Sequence, residues 1–352
     1  MKGQARHWVV GAVLAMTFQL SAGIAVDSTV PKSFAAGAGE FRYRWHEPAK
    51  VEAGKKYPLV VLLHGAGERG TNNVAQLVWG GDPIFQWFKD KGEEFYFVAG
   101  QVPGNRRWVE VNWAENSHAM PAEMSVPMTG LVALLEDLFK SDLPIDRDRV
   151  YATGVSMGGY GTWDLISRKT EWFAGAMPIC GGGDVAQAAK LRELPIWIHH
   201  GDADGAVPVW RSRSMYAALL KAGSATTRYT EYPGCGHASW NPAYNNRQTL
   251  DWLFSQKRPA AWTDLAESGE TISLESVPSA YELSFAFQSS DGKSHSAIFH
   301  RGTGFPFAVV DGEVVPNPPF AAKPSKDKLT LRAQSKSEKL TFSNLRIRPL
   351  SR

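Results

Sequence analysis

Short apolar runs alternate with helical stretches between Pro58 and Gln256, and this alternation restricts the fold more than any other feature of the 352-residue chain. The first run, residues 58–63, reads PLVVLL and contains no polar residue. A strand that is apolar on both faces is typical of the centre of a parallel sheet covered by helices on both faces. The pattern therefore predicts an α/β fold with a mostly parallel sheet, in which ligand sites lie at the carboxyl ends of the strands.

The predicted elements are spaced as in successive strand–helix–strand units. Strands are predicted at residues 41–45, 58–63, 95–99, 150–155, 173–179, 196–200 and 227–232, and helices are predicted to begin at Ser125, Met157, about Ser212 and about Asn246. This order leaves a turn or loop directly after each central strand, where functional side chains are expected.

Three parts of the chain differ in pattern. Residues 1–25 combine a basic start, a short apolar run and small residues, which is typical of a secretory signal peptide and predicts a secreted or periplasmic protein. Residues 26–260 hold the alternating strands and helices, and residues 261–352 alternate apolar and polar side chains, which predicts a small β-rich accessory module. We expect no membrane span after the signal is cleaved, because no later segment is long and apolar enough.

Composition argues against several other classes of protein. A content of 43% hydrophobic and 21% charged residues is typical of a globular chain with a core, and a formal net charge of +3 gives no basic excess for binding nucleic acid. No HExxH motif and no closely spaced cysteine pair is present, so we expect neither a metal site nor a cofactor. After export Cys180 and Cys235 could form a disulfide or remain buried thiols, and the sequence leaves both alternatives open.

The candidate nucleophile is Ser156, at the centre of the motif Gly-Val-Ser-Met-Gly in residues 154–158. The motif follows a predicted strand and opens a predicted helix, which places the serine on a sharp turn with its hydroxyl exposed. A glycine-rich helix start is the alternative interpretation. The strand before the motif and the helix after it favour the nucleophile.

A serine hydroxyl needs a base to accept its proton, and the base needs an acid to orient it. On this architecture the acid and then the histidine follow the serine in the chain. His237 lies in a tight loop after the last central strand and is the candidate base. Asp202 and Asp204 both follow the preceding strand; we favour Asp204, where the chain turns over the strand end, while Asp202 could brace the loop.

Two backbone N–H groups are needed to stabilise the oxyanion that forms during acyl transfer. We expect one from Met157, directly after the nucleophile, and one from Ala66, in the glycine-rich turn of residues 64–70. That turn lacks the Gly-Lys-Ser/Thr ending of a phosphate-binding loop. Trp240, three residues after His237, is predicted at the rim of the cleft, where it either contacts substrate or packs the loop.

Four segments carry a resemblance to a known family: LLHGAGERGTNN, YATGVSMGGYGTWDL, IHHGDADGAVPV and YPGCGHASWNPAYN. They resemble secreted α/β-hydrolases of the group that includes family-1 carbohydrate esterases, polyhydroxybutyrate depolymerases and prolyl-oligopeptidase-like esterases. The resemblance covers about residues 40–258. It implies a serine carboxylic-ester hydrolase with Ser156, Asp204 and His237 as the triad and Ala66 and Met157 as oxyanion donors.

The same resemblance guides the choice of substrate. Feruloyl and acetyl-xylan esterases belong to this group, so acyl esters of plant polysaccharides are the first expectation. A prolyl-oligopeptidase-like peptidase and a hydrolase of small esters or polyesters are the alternatives, and a binding protein on an inactive hydrolase scaffold is a third. The C-terminal module resembles, more faintly, the concanavalin-like sandwiches of secreted carbohydrate enzymes, so it either binds carbohydrate or has a structural role.

Overall fold

The computed structural model describes most of the chain. The described residues are 23–37, 39–258, 263–265, 268–269, 271–274, 281–289, 293–301, 307–310, 313–315, 320–325, 328–333 and 340–349. Residues 1–22 of the predicted signal peptide lie outside the described residues. Its last residues belong to helix α1 (Ile24–Asp27), in which Ala25 is buried. Among the described residues, no helix is long and apolar enough to cross a membrane.

One large sheet contains all of the strands predicted before residue 260. Its eight strands are β1 (Val30–Ala36), β2 (Gly39–His46), β3 (Tyr57–Leu63), β4 (Tyr96–Gly100), β5 (Ile145–Val155), β6 (Gly175–Ile179), β7 (Trp197–Gly201) and β8 (Arg228–Tyr232). They are ordered β1-β2-β4-β3-β5-β6-β7-β8. The β1–β2 and β2–β4 pairs are antiparallel and the other pairs are parallel, which confirms the mostly parallel sheet.

Helices lie between these strands and after the last of them. They are α2 (Gly81–Lys91), α3 (Val126–Lys140), α4 (Met157–Arg168), α5 (Ala188–Leu191), α6 (Trp210–Lys221), α7 (Trp240–Asn245) and α8 (Arg247–Ser255). Two of the predicted starts have side-chain caps: Ser125 accepts a hydrogen bond from the Met128 amide at 3.2 Å, and Asn246 accepts one from the Gln248 amide at 3.0 Å. Caps of this kind satisfy N–H groups that the first helical turn leaves free.

Side chains of the central strands alternate between two apolar cores. On β3, Leu59, Val61 and Leu63 pack in the core that includes residues of α3, α4 and α6, whereas Val60 and Leu62 pack in the core that includes residues of α1, α2, α7 and α8. Because successive strand side chains point to opposite faces, a strand buried on both faces favours apolar side chains at every position. This accounts for the uninterrupted apolar run at residues 58–63.

Beyond residue 262 every described element is a strand. These strands are β9 (Thr263–Asp264), β10 (Thr271–Leu274), β11 (Tyr281–Gln288), β12 (Ser294–Arg301), β13 (Phe307–Val310), β14 (Glu313–Val315), β15 (Phe320–Ser325), β16 (Lys328–Ala333) and β17 (Thr341–Pro349). They form a six-stranded sheet, β14-β13-β12-β11-β17-β9, and a three-stranded sheet, β10-β16-β15. Alternate side chains of β11, including Leu283, Phe285 and Phe287, are buried in their own apolar core, which confirms the all-β character of this part.

Candidate active site

Ser156 occupies a strained turn between β5 and α4. Its φ of 55° and ψ of −117° lie in a region that residues with a side chain rarely adopt. The turn packs against the end of β3 so closely that a Cβ atom at Gly158 would lie 1.9 Å from the carbonyl oxygen of Leu63. Gly158 is therefore required because the backbone of β3 lies too close for any side chain at this position. Strain of this kind at one serine is typical of a nucleophile turn.

The Ser156 hydroxyl contacts His237, and His237 contacts Asp204. The Ser156 Oγ lies 2.8 Å from Nε2 of His237, and Nδ1 of the same ring lies 2.7 Å from Oδ2 of Asp204. An ionised carboxylate only accepts hydrogen bonds, so Nδ1 carries the proton and donates it to Asp204. Nε2 is then left to accept the hydrogen bond of the serine. The three side chains form a continuous hydrogen-bonded line.

The carboxylate of Asp204 is fully enclosed, with 0% of its side chain exposed. Its Oδ1 accepts hydrogen bonds from the amides of Ala206 at 2.8 Å and Val207 at 2.9 Å. Burial alone would raise the pKa of Asp204, but hydrogen bonds from His200, from His237 and from these two amides outweigh it and hold the pKa below the usual range. Asp204 is therefore ionised at every pH at which the protein is expected to work.

The other candidate acid has a different role. Asp202 is exposed, and its Oδ1 accepts a hydrogen bond from the amide of Gly234 at 2.7 Å, which links the loop after β7 to the loop after β8. The two loops also meet at Gly201, where a Cβ atom would lie 2.2 Å from the carbonyl oxygen of Cys235. The structure thus brings Asp204 to His237 and uses Asp202 as a brace between the two loops.

The two amides expected to stabilise an oxyanion lie at the ends of neighbouring strands. In the β3–β5 pair Leu63 lies beside Gly154. Ala66 and Met157 each follow three residues later, so both lie just beyond the same edge of the sheet. Met157 begins α4, and Ala66 begins a single 3₁₀ turn, Ala66–Glu68. Within the described residues neither amide donates a hydrogen bond to a protein acceptor. Both N–H groups are therefore free for a ligand oxygen.

His64 holds the turn that contains Ala66. The amide of Val102 donates to His64 Nε2 at 2.9 Å, so Nδ1 must carry the proton, and it donates to the carbonyl oxygen of Gly65 at 2.7 Å. Burial and, to a smaller extent, the charge of Arg69 lower the pKa of His64 to about 4, against the opposing effect of its hydrogen bond to Gly65. Its two partners leave no room for a second proton. His64 thus acts as a neutral structural link between the ends of β3 and β4.

Trp240 lies beside the candidate base. Its ring is 5.3 Å from the ring of His237 and also 5.3 Å from the ring of Trp79. The indole N–H of Trp79 donates to Oε1 of Glu68 at 3.0 Å, and burial raises the pKa of that carboxyl. Trp79 and Glu68 were not identified from the sequence, because their contacts join segments that no motif connects.

A buried thiol lies behind the His–Asp pair. Cys180 Sγ, a carboxylate oxygen of Asp204 and a ring nitrogen of His237 all lie within 4.8 Å of one another, a spacing that a metal ion could bridge. Burial raises the pKa of the Cys180 thiol, which keeps it protonated and makes it a poor ligand. His237 and Asp204 are moreover committed to hydrogen bonds with each other and with Ser156. Cys180 and Cys235 are both free thiols in the structure.

Comparison with known proteins finds similarity over the part of the chain that contains Ser156, Asp204 and His237. The sequence profile described as phospholipase/carboxylesterase matches residues 47–248, more than half of the chain. Among solved structures, that of a thermostable esterase is similar with a TM-score of 0.60 and 35% sequence identity, covering 66% of this chain and 64% of that one.

Two curated relatives match shorter segments. A poly(3-hydroxyoctanoate) depolymerase of Pseudomonas fluorescens is 35% identical over 106 residues, which is 27% of this chain and 36% of the relative. A bifunctional acetylxylan esterase/xylanase of Neocallimastix patriciarum is 38% identical over 77 residues, which is 22% of this chain and 11% of the relative. The chain thus spans about a third or less of the length of these two relatives.

Proposed function

The chain belongs to the phospholipase/carboxylesterase family of α/β-hydrolases and is a carboxylic-ester hydrolase, and from this premise we propose that Ser156, His237 and Asp204 are its catalytic triad. The observation that supports the proposal is the unbroken line of hydrogen bonds from the serine hydroxyl through the imidazole to the buried carboxylate. Nucleophile, base and orienting acid each have the contact that their role requires.

The reaction follows from this arrangement. His237 Nε2 takes the Ser156 proton while Oγ attacks the ester carbonyl carbon, and the resulting oxyanion accepts hydrogen bonds from the amides of Ala66 and Met157. The intermediate collapses, its bond to the alcohol oxygen breaks, and the imidazolium gives its proton to the departing alcohol. This leaves an acyl-enzyme. Water then attacks in the same way, His237 takes the water proton, and the carboxylic acid is released with the serine restored.

For the substrate we propose acyl esters of plant polysaccharides, of the acetyl or feruloyl type. The relative named as an acetylxylan esterase/xylanase supports an acetylated polysaccharide. The aromatic pair of Trp79 and Trp240 beside His237 suits a planar ring, either the phenyl ring of a ferulate or the face of a sugar.

A groove of about 340 Å³ provides further support, because it lies at the same carboxyl edge of the sheet. Exposed Glu40, Asn105 and Arg106 line it, with Phe41 and Gln101 buried at its base. Such a mixture of polar groups and apolar surface suits the hydroxyl groups and ring faces of a sugar chain.

The groove is linked to the candidate oxyanion turn. The side-chain amide of Gln101, at its base, donates to the carbonyl oxygen of Glu68 at 3.0 Å. Ser156 follows β5 and Gln101 follows β4, with only β3 between these strands, so at about 5 Å per strand the two residues lie about 10 Å apart along the edge. We propose that a polymer ester attached at Ser156 extends along this edge into the groove.

The second candidate function is hydrolysis of an aliphatic polyester. It is favoured by the 35% identity to the poly(3-hydroxyoctanoate) depolymerase. Such a substrate has no sugar hydroxyl groups, so it would form few hydrogen bonds with the polar residues at the rim of the groove. Peptide hydrolysis, the other alternative, is favoured by no feature of the residues that the structure describes.

A substrate panel tests both candidates. The purified chain should hydrolyse p-nitrophenyl acetate, and Ser156→Ala should lower kcat by about 10⁴-fold or more while the fold is retained. The same preparation is then assayed on acetylated xylan, methyl ferulate, poly(3-hydroxyoctanoate) and a peptide amide. Release of acetate or ferulate supports the polysaccharide-ester proposal. Activity on the polyester alone would replace it with the second candidate, and an active Ser156→Ala would overturn the triad.

We also propose that the protein is exported and that its leader is removed. The basic start, the short apolar run and the small residues that follow support this proposal. Export would also bring the enzyme to a polymer too large to enter a cell. Fractionation of a producing culture tests it: the activity should be found in the medium or the periplasm.

A further inference from the structure

His200 contacts the carboxylate that orients the candidate base. It is the fourth residue of β7, and its side chain is 0% exposed. Its Nε2 lies 3.2 Å from Oδ2 of Asp204, the same oxygen that faces His237, and 3.1 Å from the carbonyl oxygen of Val207. Its Nδ1 lies 2.7 Å from the hydroxyl of Ser212. Both ring nitrogens therefore have partners.

These partners determine which nitrogen carries the proton. The carboxylate of Asp204 and the carbonyl of Val207 are both acceptors, so Nε2 must be the donor. A neutral imidazole then has its lone pair on Nδ1, and the Ser212 hydroxyl donates to it. The arrangement is satisfied by one tautomer of a neutral ring.

Four N–H groups consequently surround the carboxylate of Asp204. Its Oδ1 accepts from the amides of Ala206 and Val207, and its Oδ2 accepts from Nδ1 of His237 and lies 3.2 Å from Nε2 of His200, whose N–H is shared with the carbonyl oxygen of Val207. Because His200 also contacts the carbonyl oxygen of Val207, it holds both the carboxylate and the residue whose amide binds that carboxylate. A carboxylate held in this way cannot rotate Oδ2 away from His237.

We propose that His200 is a positioning residue of this active site: it fixes the orientation of Asp204 and, through it, the orientation of His237. The proposal rests on the triad proposed above. Without the His200 donor the carboxylate is free to turn, so productive alignment of His237 is less populated. In the population that stays aligned, more of the carboxylate charge is left to interact with the imidazolium of His237, which favours its protonated form.

The neighbouring His199 provides a matched control. It is equally buried, but it faces the opposite side of β7, where its Nδ1 lies 2.9 Å from the hydroxyl of Tyr232. Its side chain has no described contact with Ser156, Asp204 or His237. Substitution of His199 therefore measures how the removal of a buried strand histidine changes stability when the active site is not contacted.

The test compares His200→Gln, His200→Leu and His199→Gln by pH–rate profiles on p-nitrophenyl acetate and by Tm. We expect His200→Leu to lower kcat about 10- to 100-fold with little change in KM, as for a lost hydrogen bond to a charged group. The acid limb of its kcat/KM profile should move to higher pH. His200→Gln keeps an N–H donor and should recover part of both effects, whereas His199→Gln should lower Tm without moving the profile.

Two further variants keep the outcome interpretable. If His200→Leu does not fold, Ser212→Ala, which removes only the hydrogen bond to Nδ1, should shift the profile in the same direction by a smaller amount. A wild-type profile in both His200→Gln and Ser212→Ala, or in a folded His200→Leu, would overturn the proposal. Full activity of Asp204→Asn would instead overturn the triad itself, so the two failures are distinguishable.

Discussion

His237 stands edge-on to Trp240, with the two ring centroids 5.3 Å apart and the ring planes at 85°. Trp240 contacts Trp79 on its other side, and Trp79 donates a hydrogen bond to Glu68 in the turn that contains Ala66. The loop of the candidate base and the turn of the candidate oxyanion donor are therefore joined through two indoles. Both substrate contact and loop packing are thus physical roles open to Trp240.

A first prediction separates these roles. We expect Trp240→Ala to lower kcat/KM about tenfold on methyl ferulate and much less on p-nitrophenyl acetate, because only the larger ester reaches the indole. Trp79→Ala serves as the control for packing, since it removes the ring behind Trp240. Equal losses on the two esters in Trp240→Ala, with a lowered Tm, would show that the ring only supports the loop.

A second prediction concerns the two aspartates. Asp204→Asn removes the charge and the acceptor that hold Nδ1 of His237 protonated, so kcat should fall by about 10⁴-fold while the Tm stays measurable. Asp202→Asn keeps a side-chain oxygen that accepts from Gly234, so its kcat should change by less than about threefold. Steady-state kinetics on one ester decide the point, and the reverse ranking would assign the acid to Asp202.

A third prediction concerns stability at acid pH. The folded pKa of His64 is lowered to about 4, below its ordinary value, so between about pH 6.5 and 4 the unfolded chain binds more protons than the folded one. The His64 contribution is therefore fully present above about pH 6.5 and is lost as the pH falls towards 4. It amounts to at most about 3 kcal/mol.

Urea unfolding across this range tests the effect. His118, whose pKa is also lowered to about 4 by burial and by Arg211, acts in the same direction. The free energy of unfolding should therefore decrease from pH 7 to pH 4 in the wild type and decrease less in His64→Gln. A pH dependence of equal slope in the two proteins would contradict the role given to His64.

A fourth prediction concerns the mature N-terminus. Ala25 is 0% exposed, its amide donates to Oδ1 of Asp82 at 2.9 Å, and its carbonyl accepts from the hydroxyl of Thr29 at 2.6 Å. Cleavage after residue 25, the boundary predicted from the sequence, would remove these contacts from the folded protein. We therefore expect cleavage before Ala25, so that Ala25 is retained in the mature chain, read out as the intact mass of the exported protein. A mature chain that begins at Val26 and has the same Tm as a chain that retains Ala25 would contradict this.

Much of the architecture was accessible from the sequence because it depends on local pattern. The apolar run at residues 58–63 predicts a doubly buried strand, and the order of Ser156, Asp204 and His237 follows the order of the strands that carry them. Because parallel strands end at one edge of the sheet, strand order alone brings the loops that follow them close together. This much requires no knowledge of any side-chain contact.

Contacts between distant segments were decided only by the tertiary structure. The sequence offered Asp202 and Asp204 two residues apart, and only the folded loop shows which carboxylate reaches His237. His200 is one of two adjacent histidines in β7, and only the structure shows that its ring lies on Asp204, because the chain turns back over the end of that strand. Motifs record spacing along the chain, whereas a hydrogen bond depends on distances of about 3 Å that are set by how whole elements pack.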